Sequence, residues 1–208
     1  MNNMDNKPLL SILIPSIPSR FEKAFTIYNK LLSMVGELPI EVLMFTDNKK
    51  RSIGKKREAL VKISNGEYVC FVDDDEDVFE DYIISIYNTL RDCNTSFEGK
   101  IDLISFKSKS TLNGESFIVD MDVNNPINEA AGRGEDGKYI DIKRKPFHIC
   151  VWRSEIAKSE EFPDSNYGED WAWCEKLLNK VGSAYKIDSV LHHYIWSSDV
   201  TEAELDKK

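Results

Sequence analysis

Asn65-Gly66-Glu67-Tyr68-Val69-Cys70-Phe71-Val72-Asp73-Asp74-Asp75 is the stretch on which the fold turns. A glycine turn leads into a short apolar run, which ends on consecutive carboxylates. Tyr, Val and Phe in a run this brief predict a buried strand. Working back from it, Gly54 to Ser64 reads as a helix with Ala59, Leu60 and Ile63 inward, closed by Asn65-Gly66. Glu41 to Phe45 reads as another strand, ending at Thr46-Asp47-Asn48. Phe21, Ala24, Phe25, Tyr28, Leu31, Leu32 and Val35 repeat at helical spacing. Before them, Leu9 to Ile14 is a strand that stops at Pro15-Ser16-Ile17-Pro18-Ser19-Arg20. Working forward, a helix runs from about Phe79 to Arg91. This alternation predicts an α/β fold, a mostly parallel central sheet flanked by crossover helices. In such sheets ligands bind beyond the carboxyl ends of the strands, where the polar loops of this sequence fall.

The second half changes character. Ile101 to Phe106 and Glu115 to Val119 read as strands around Asn113-Gly114, and residues 123–138 read as a loop. Tyr139 to Ile142 and Phe147 to Trp152 read as short strands. Gly168-Glu169-Asp170 opens a helix whose apolar stripe is Trp171, Cys174, Leu178 and Val181. Ala184 to Tyr194 reads as a late strand, and the polar tail Thr201 to Lys208 is expected to fray. With no repeat and no linker composition, one domain over residues 1–208 is the simplest organisation. Its first half, about 9–90, has the nucleotide-binding pattern, and its second half, about 100–197, is irregular.

A chain of 208 residues buries a full core without staples. The 36 Asp and Glu against 27 Lys and Arg, net −9, argue against a protein held mainly by nucleic-acid phosphates. Cys70, Cys93, Cys150 and Cys174 form no Cys-x-x-Cys pair, so they read as buried thiols rather than a zinc site. No stretch approaches the ~20 apolar residues of a membrane span, and the run 9–14 is too short for a signal peptide. The expectation is a soluble, cytoplasmic protein.

Adjacent carboxylates at the end of a buried strand repel each other and lose solvation. A divalent cation answers both problems, since Mg²⁺ and Mn²⁺ take hard oxygen ligands. A solvated acidic turn before a helix N-terminus is the plainer answer. A calcium loop starting at Asp73 fails, because its sixth and twelfth positions hold Val78 and Ile84. A phosphatase of the haloacid dehalogenase type also places Asp-x-Asp after a strand, but Asp77 stands where that motif wants Thr or Val.

Taken in order, Ser11-Ile12-Leu13-Ile14-Pro15-Ser16, Gly54-Lys55-Lys56-Arg57, the run 65–75 and Tyr167-Gly168-Glu169-Asp170-Trp171 resemble a family 2 glycosyltransferase of the GT-A fold. The resemblance spans roughly residues 9–195, and the small size and Asn/Lys/Ile-rich style are similar to phage or bacterial members. It implies a nucleoside diphosphate sugar donor, most often UDP-linked, and a bacterial or phage-infected host cytoplasm. It places Pro15, Ser16, Ile17 and Arg20 around the nucleotide, Asp47 at the base and Arg57 beside the nucleotide. Asp73, with Asp74, would face the ribose. Asp75 would hold Mn²⁺ or Mg²⁺ (the Asp-x-Asp motif), with Asp73 and His193 as further candidate ligands.

An inverting transfer needs a carboxylate to take the acceptor hydroxyl's proton. Asp170 is the candidate base and Glu169 the residue that orients the acceptor, with Trp171 and His148 as acceptor-pocket walls. Each residue also has a plain reading: helix-start acids at 169–170, a core tryptophan, a turn aspartate at 47, strand histidines at 192–193. The acceptor is expected to be a glycan or, as an alternative, hydroxylated bases of phage DNA. The DNA case needs the basic residues 49–51 and 143–145 near one rim of the site, against the net charge. Nucleotidyl transfer would want a Gly-rich basic loop where Pro15-Ser16-Ile17-Pro18 stands. A non-catalytic nucleotide-sugar-binding module would have no need of Asp73, Asp75 and Asp170 together.

Overall fold

The computed structural model describes residues 7–96, 100–127 and 132–196. In chain order the elements are β1 (Leu10–Ser16), α1 (Phe21–Val35), β2 (Ile40–Thr46), α2 (Ile53–Ile63), β3 (Tyr68–Phe71), β4 (Asp77–Val78) and α3 (Tyr82–Ser96). They continue as β5 (Leu103–Leu112), β6 (Glu115–Met121), β7 (Ile142–Arg144), β8 (Val151–Arg153), α4 (Ser154–Ala157), α5 (Glu169–Leu178) and β9 (Ala184–Trp196).

β1 pairs in parallel with β2 on one side and β3 on the other. β8 is antiparallel to both β3 and β5, so β5 runs the same way as the first three strands, and β9 runs parallel to β5. The sheet order is β2-β1-β3-β8-β5-β6-β7, with β9 paired to β5 and to the two-residue β4. The expected α/β architecture, a largely parallel sheet with flanking helices, is what the chain adopts. The carboxyl ends of β1, β2 and β3 reach one edge of the sheet together, since Ser16 is in register with Thr46 and Leu13 with Phe71.

The core follows from the apolar pattern. β1 is buried along its whole length. Behind β3, Phe162 stacks on Trp173 at 4.4 Å, and Trp152 meets Trp173 edge-on at 5.8 Å. Trp173 is therefore the core tryptophan of the 171/173 pair. The apolar face read on α1 divides: Ala24, Ile27, Leu31 and Val35 are buried, while Phe21, Phe25 and Leu32 are exposed. The four thiols are all buried and unpaired, as expected, and burial pushes Cys70 and Cys150 up to about 12. Among the described residues no helix is long and apolar enough to cross a membrane.

Several local readings change: Ile63, read as inward on α2, is exposed, and α5 buries Trp173, Cys174 and Leu177 rather than the stripe Trp171, Cys174, Leu178 and Val181. Residues 147–150 are not strand: Cys150 N–H donates to Phe147 O at 2.9 Å, closing a turn before β8. β7 begins at Ile142, and Tyr139 makes an isolated bridge to Arg133. β4 and α4 are too short for any periodicity to announce them. Within the 123–138 loop, residues 128–131 lie outside the described residues, as does the tail expected to fray.

Gly54 sets how close α2 comes to the second half of the chain. A Cβ there would sit 1.9 Å from the backbone oxygen of Pro163 and 3.3 Å from Glu169 Cβ. Its N–H donates to Ser165 O at 3.1 Å. Gly54→Ala is expected to cost about 1–3 kcal/mol, the usual penalty for forcing atoms into a packed contact. In a chain of this size that is a fall of several degrees in Tm, measured by calorimetry.

Candidate active site

That close approach buries three consecutive charged side chains on α2. Lys56, Arg57 and Glu58 are 2%, 3% and 8% exposed, values that require a partner for each. Lys56 Nζ donates to Ser16 O at 3.0 Å and pairs with Asp47 Oδ1 at 3.1 Å, tying the ends of β1 and β2 together. The Asp47 carboxylate also accepts the backbone N–H groups of Lys49 and Arg51. Glu58 accepts from Phe162 N–H at 2.9 Å and pairs with Lys62.

Arg57 makes the central connection. Its two terminal nitrogens donate to Asp73 Oδ1 and Oδ2, both at 2.8 Å, and its Nε donates to Glu169 Oε1 at 3.2 Å. A bidentate guanidinium–carboxylate pair fixes both geometry and charge. Burial pushes the Asp73 carboxyl up, but Arg57 and His148 outweigh it and hold the group well below the usual carboxylate range. Glu169 goes the other way: burial raises it, and Arg57 only partly opposes that. Asp170, next on α5, has its Oδ1 accepting from Trp171 N–H at 2.7 Å. His148, 4% exposed, lies between the two groups, with Nε2 3.6 Å from Asp73 Oδ2 and Nδ1 3.5 Å from Asp170 Oδ2. The end of β3 and the start of α5, nearly a hundred residues apart in sequence, thus share one charge network.

Gly168, with φ +74, sets up the entry into α5 without a side-chain cap. Glu169 and Asp170 therefore also meet the positive end of the helix, as their plain reading held. Beyond Asp170 the Trp171 ring stacks on Phe147 at 6.1 Å, and the Arg144 guanidinium covers Phe147 at 4.0 Å. Phe147 in turn packs edge-on to His148 at 4.6 Å. Trp171 and His148 are therefore joined to the network as a partly open aromatic wall.

A second cluster holds the remaining acids. Arg20, at the end of the Pro18–Arg20 turn, lies 3.0 Å from Asp74 Oδ1 and also pairs with Asp75 Oδ2. Both carboxylate oxygens of Asp74 are buried without a well-formed hydrogen bond. Burial pushes Asp74 up to about 6 and Asp75 up to about 7, with Arg20 opposing the shift in each case. Residues 74–77 line a cleft of about 510 Å³ with Lys23, Thr26, Ile27 and Lys30 of α1.

The loop is secured from β9: Glu76 Oε2 accepts from Asp73 N–H and meets His192 Nε2 at 2.8 Å, while His192 Nδ1 bonds Ser108 Oγ at 2.9 Å. His192 and His193 point to opposite faces, as strand neighbours must. His193 Nε2 lies 2.8 Å from Thr111 Oγ1, its ring stacks on Phe79, and its strand partner is Asp77. Among the described residues no set of three or more His, Cys, Asp or Glu groups gathers as a closed cation cage. Pro15, Ser16 and Ile17 are buried at the end of β1.

Lys56, Glu76 and Phe147 were not given site roles from the sequence, and Arg144 was read only as part of the basic run 143–145. Lys56 and Arg57 stand four residues before the buried Leu60 and Val61, so helical periodicity alone places both on the inward face of α2. That signal was available for Lys56. Glu76, Arg144 and Phe147 carry no comparable local mark.

No protein-family model matches the sequence, and no curated protein sequence does. Among solved structures the chain is similar to S. aureus TarS 1-349 at 16% identity and TM-score 0.60, over 89% of this chain and 60% of that one. Similarity to the same protein in complex with UDP-GlcNAc has 14% identity and TM-score 0.60, over 91% and 59%. For the complex with UDP the values are 15% and 0.60, over 90% and 60%. The chain thus spans about three fifths of the TarS 1-349 chains it matches, and 37% of the longer S. aureus TarS chain. What is shared at this identity is the architecture, and the architecture is the GT-A, Rossmann-like fold.

Proposed function

We propose that this chain is a nucleotide-sugar glycosyltransferase with a UDP-linked donor, a hydroxyl acceptor and Asp170 as general base. The observation that carries the reading is the single network joining Arg57, Asp73, His148, Glu169 and Asp170. The fold brings the strand-end acid and the helix-start acids to one place, at the sheet edge where such folds take ligands. That TarS has been captured with UDP and UDP-GlcNAc on the same fold supports a uridine nucleotide here.

Each residue then has a task. The Asp170 carboxylate takes the acceptor's proton, while Arg57 keeps Asp73 ionised and orients both Asp73 and Glu169. Trp171, with Phe147 behind it, gives a sugar ring an apolar face and keeps water from the transfer.

A divalent cation fits the residues present. Mg²⁺ and Mn²⁺ are commonly held by one or two carboxylates, with substrate phosphates completing the shell, so a closed protein cage is not required. The under-bonded oxygens of Asp74 and the raised Asp75 are a hard donor pair suited to it. Asp73 has an Arg57 nitrogen on each oxygen, whereas Arg20 meets Asp74 at Oδ1 and Asp75 at Oδ2, so Asp74 and Asp75 would hold the ion in place of Arg20. Such an ion supplies Lewis-acid stabilisation of the departing diphosphate.

Calorimetric titration of UDP with and without Mn²⁺, repeated on Asp75→Asn, tests the reading. Metal-dependent binding that the substitution weakens is expected, and no UDP binding to the folded chain under either condition would overturn it. The pH dependence has a definite sign. A raised carboxyl prefers its proton, so without metal Asp75 contributes stability below its ordinary range, lost as pH rises toward about 7. A cation must displace that proton, so Mn²⁺ should raise Tm more at pH 8 than at pH 5.5.

A further inference from the structure

His148 is buried with neither ring nitrogen in a hydrogen bond, although each faces a carboxylate at 3.5–3.6 Å. An unpaired buried imidazole is costly, and these distances are just outside hydrogen-bond length. Groups that act on substrate or on its base are often held slightly too far in the empty enzyme and tighten in the complex. The two neighbouring carboxylates differ in what they still lack. Asp73 already has a guanidinium nitrogen on each oxygen, whereas the hydrogen bond to Asp170 falls on Oδ1 and leaves Oδ2 facing His148 Nδ1. The ring itself is fixed in place by Phe147 at 4.6 Å and Phe71 at 6.0 Å, and it follows the turn that replaces the expected strand.

We infer that His148 is the positioning residue for Asp170: its ring carries the proton on Nδ1 and donates it to Asp170 Oδ2, aiming the other oxygen's face at the acceptor hydroxyl. This inference rests on the glycosyltransferase reading for its purpose, but its geometry stands without it. A carboxylate free to rotate at the start of α5 would sample many directions, and Trp171 N–H alone fixes one oxygen. A second donor from outside the helix locks the plane. Arg57 already places a donor on each Asp73 oxygen, so a donor from His148 adds more at Asp170 Oδ2.

The chain holds three histidines, so the ring nitrogens of each can be assigned by single substitution and their tautomers read by long-range ¹⁵N–¹H correlation. In the wild-type chain at pH 8, without ligand, His148 is expected with its proton on Nδ1, and Asp170→Ala is expected to abolish that preference. A proton on Nε2 in the wild-type chain, unchanged by Asp170→Ala, overturns the inference. Turnover adds a second arm, with UDP-GlcNAc as the first donor probed. His148→Ala should lower kcat about 10²-fold, the scale for losing orientation at a reacting group, with the Kd for UDP unchanged. His148→Asn, whose amide can place a donor near the Nδ1 position, should recover more of kcat than His148→Gln, and equal loss in both overturns it. If no UDP-sugar is turned over and UDP does not bind, the glycosyltransferase reading falls, and the tautomer measurement still decides the geometry of His148.

Discussion

Asp170→Asn is expected to leave UDP affinity unchanged and to lower turnover by about 10²–10⁴-fold, the range a positioned general base supplies. The substitution is nearly isosteric, and the amide oxygen can still accept from Trp171 N–H, so the start of α5 should hold. What is removed is the capacity to take a proton. If Asp170 served only to complement the helix N-terminus, the same change would cost about 0.3–1 kcal/mol of stability and leave turnover alone. Steady-state rates with UDP-GlcNAc and other UDP-sugars, alongside calorimetry with UDP, separate the two outcomes.

Arg57→Met should have the largest effect on stability. It leaves Asp73 and the 4%-exposed Glu169 without their shared cation, and uncompensated buried charge of this kind costs about 3–5 kcal/mol. The corresponding fall in Tm is roughly 6–20 °C for a chain of this length. The pH dependence distinguishes this from lost packing against Phe71. Asp73 is held below its ordinary range in the wild-type chain, so it contributes stability above about pH 4 that is lost as pH falls further. In Arg57→Met that contribution disappears, and the variant's deficit should narrow as the solution is acidified. A deficit constant from pH 7 to pH 3 would show that packing, not charge, is what Arg57 supplies.

The strand–helix alternation of the first ninety residues was legible because each element is long enough to show its period. β1, α1, β2, α2 and β3 lie within a few residues of their expected bounds. The second half was less legible for a physical reason. There the backbone bonds are made across long separations, as in β8 between β3 and β5, and short strands of that kind owe their existence to neighbours rather than to pattern. The same limit governs the candidate site. That carboxylates would crowd the end of β3 was readable, but not their division of labour: Asp73 to Arg57, Asp74 and Asp75 to Arg20, Glu76 to His192. Charge and spacing do not say which of four adjacent acids faces which partner. His148 was expected as a wall of the acceptor pocket. Its place between Asp73 and Asp170 depends on a turn at 147–150 that an apolar run disguises as strand.

β9 joins β5 along its length, pairs with β4, and through His192 holds Glu76. Its partners were made 81 to 116 residues earlier in the chain, a separation that makes their pairing slow compared with helix formation. On the ribosome, the first three strands and their helices can assemble while the acidic loop still lacks its anchor. The order of synthesis therefore builds the scaffold before the chemistry: a nascent chain stalled before residue 184 would carry Asp73, Asp74 and Asp75 without the strand that secures their loop. Such a chain would keep β1, β2 and β3 paired in parallel while the acidic loop still lacked its contact to His192.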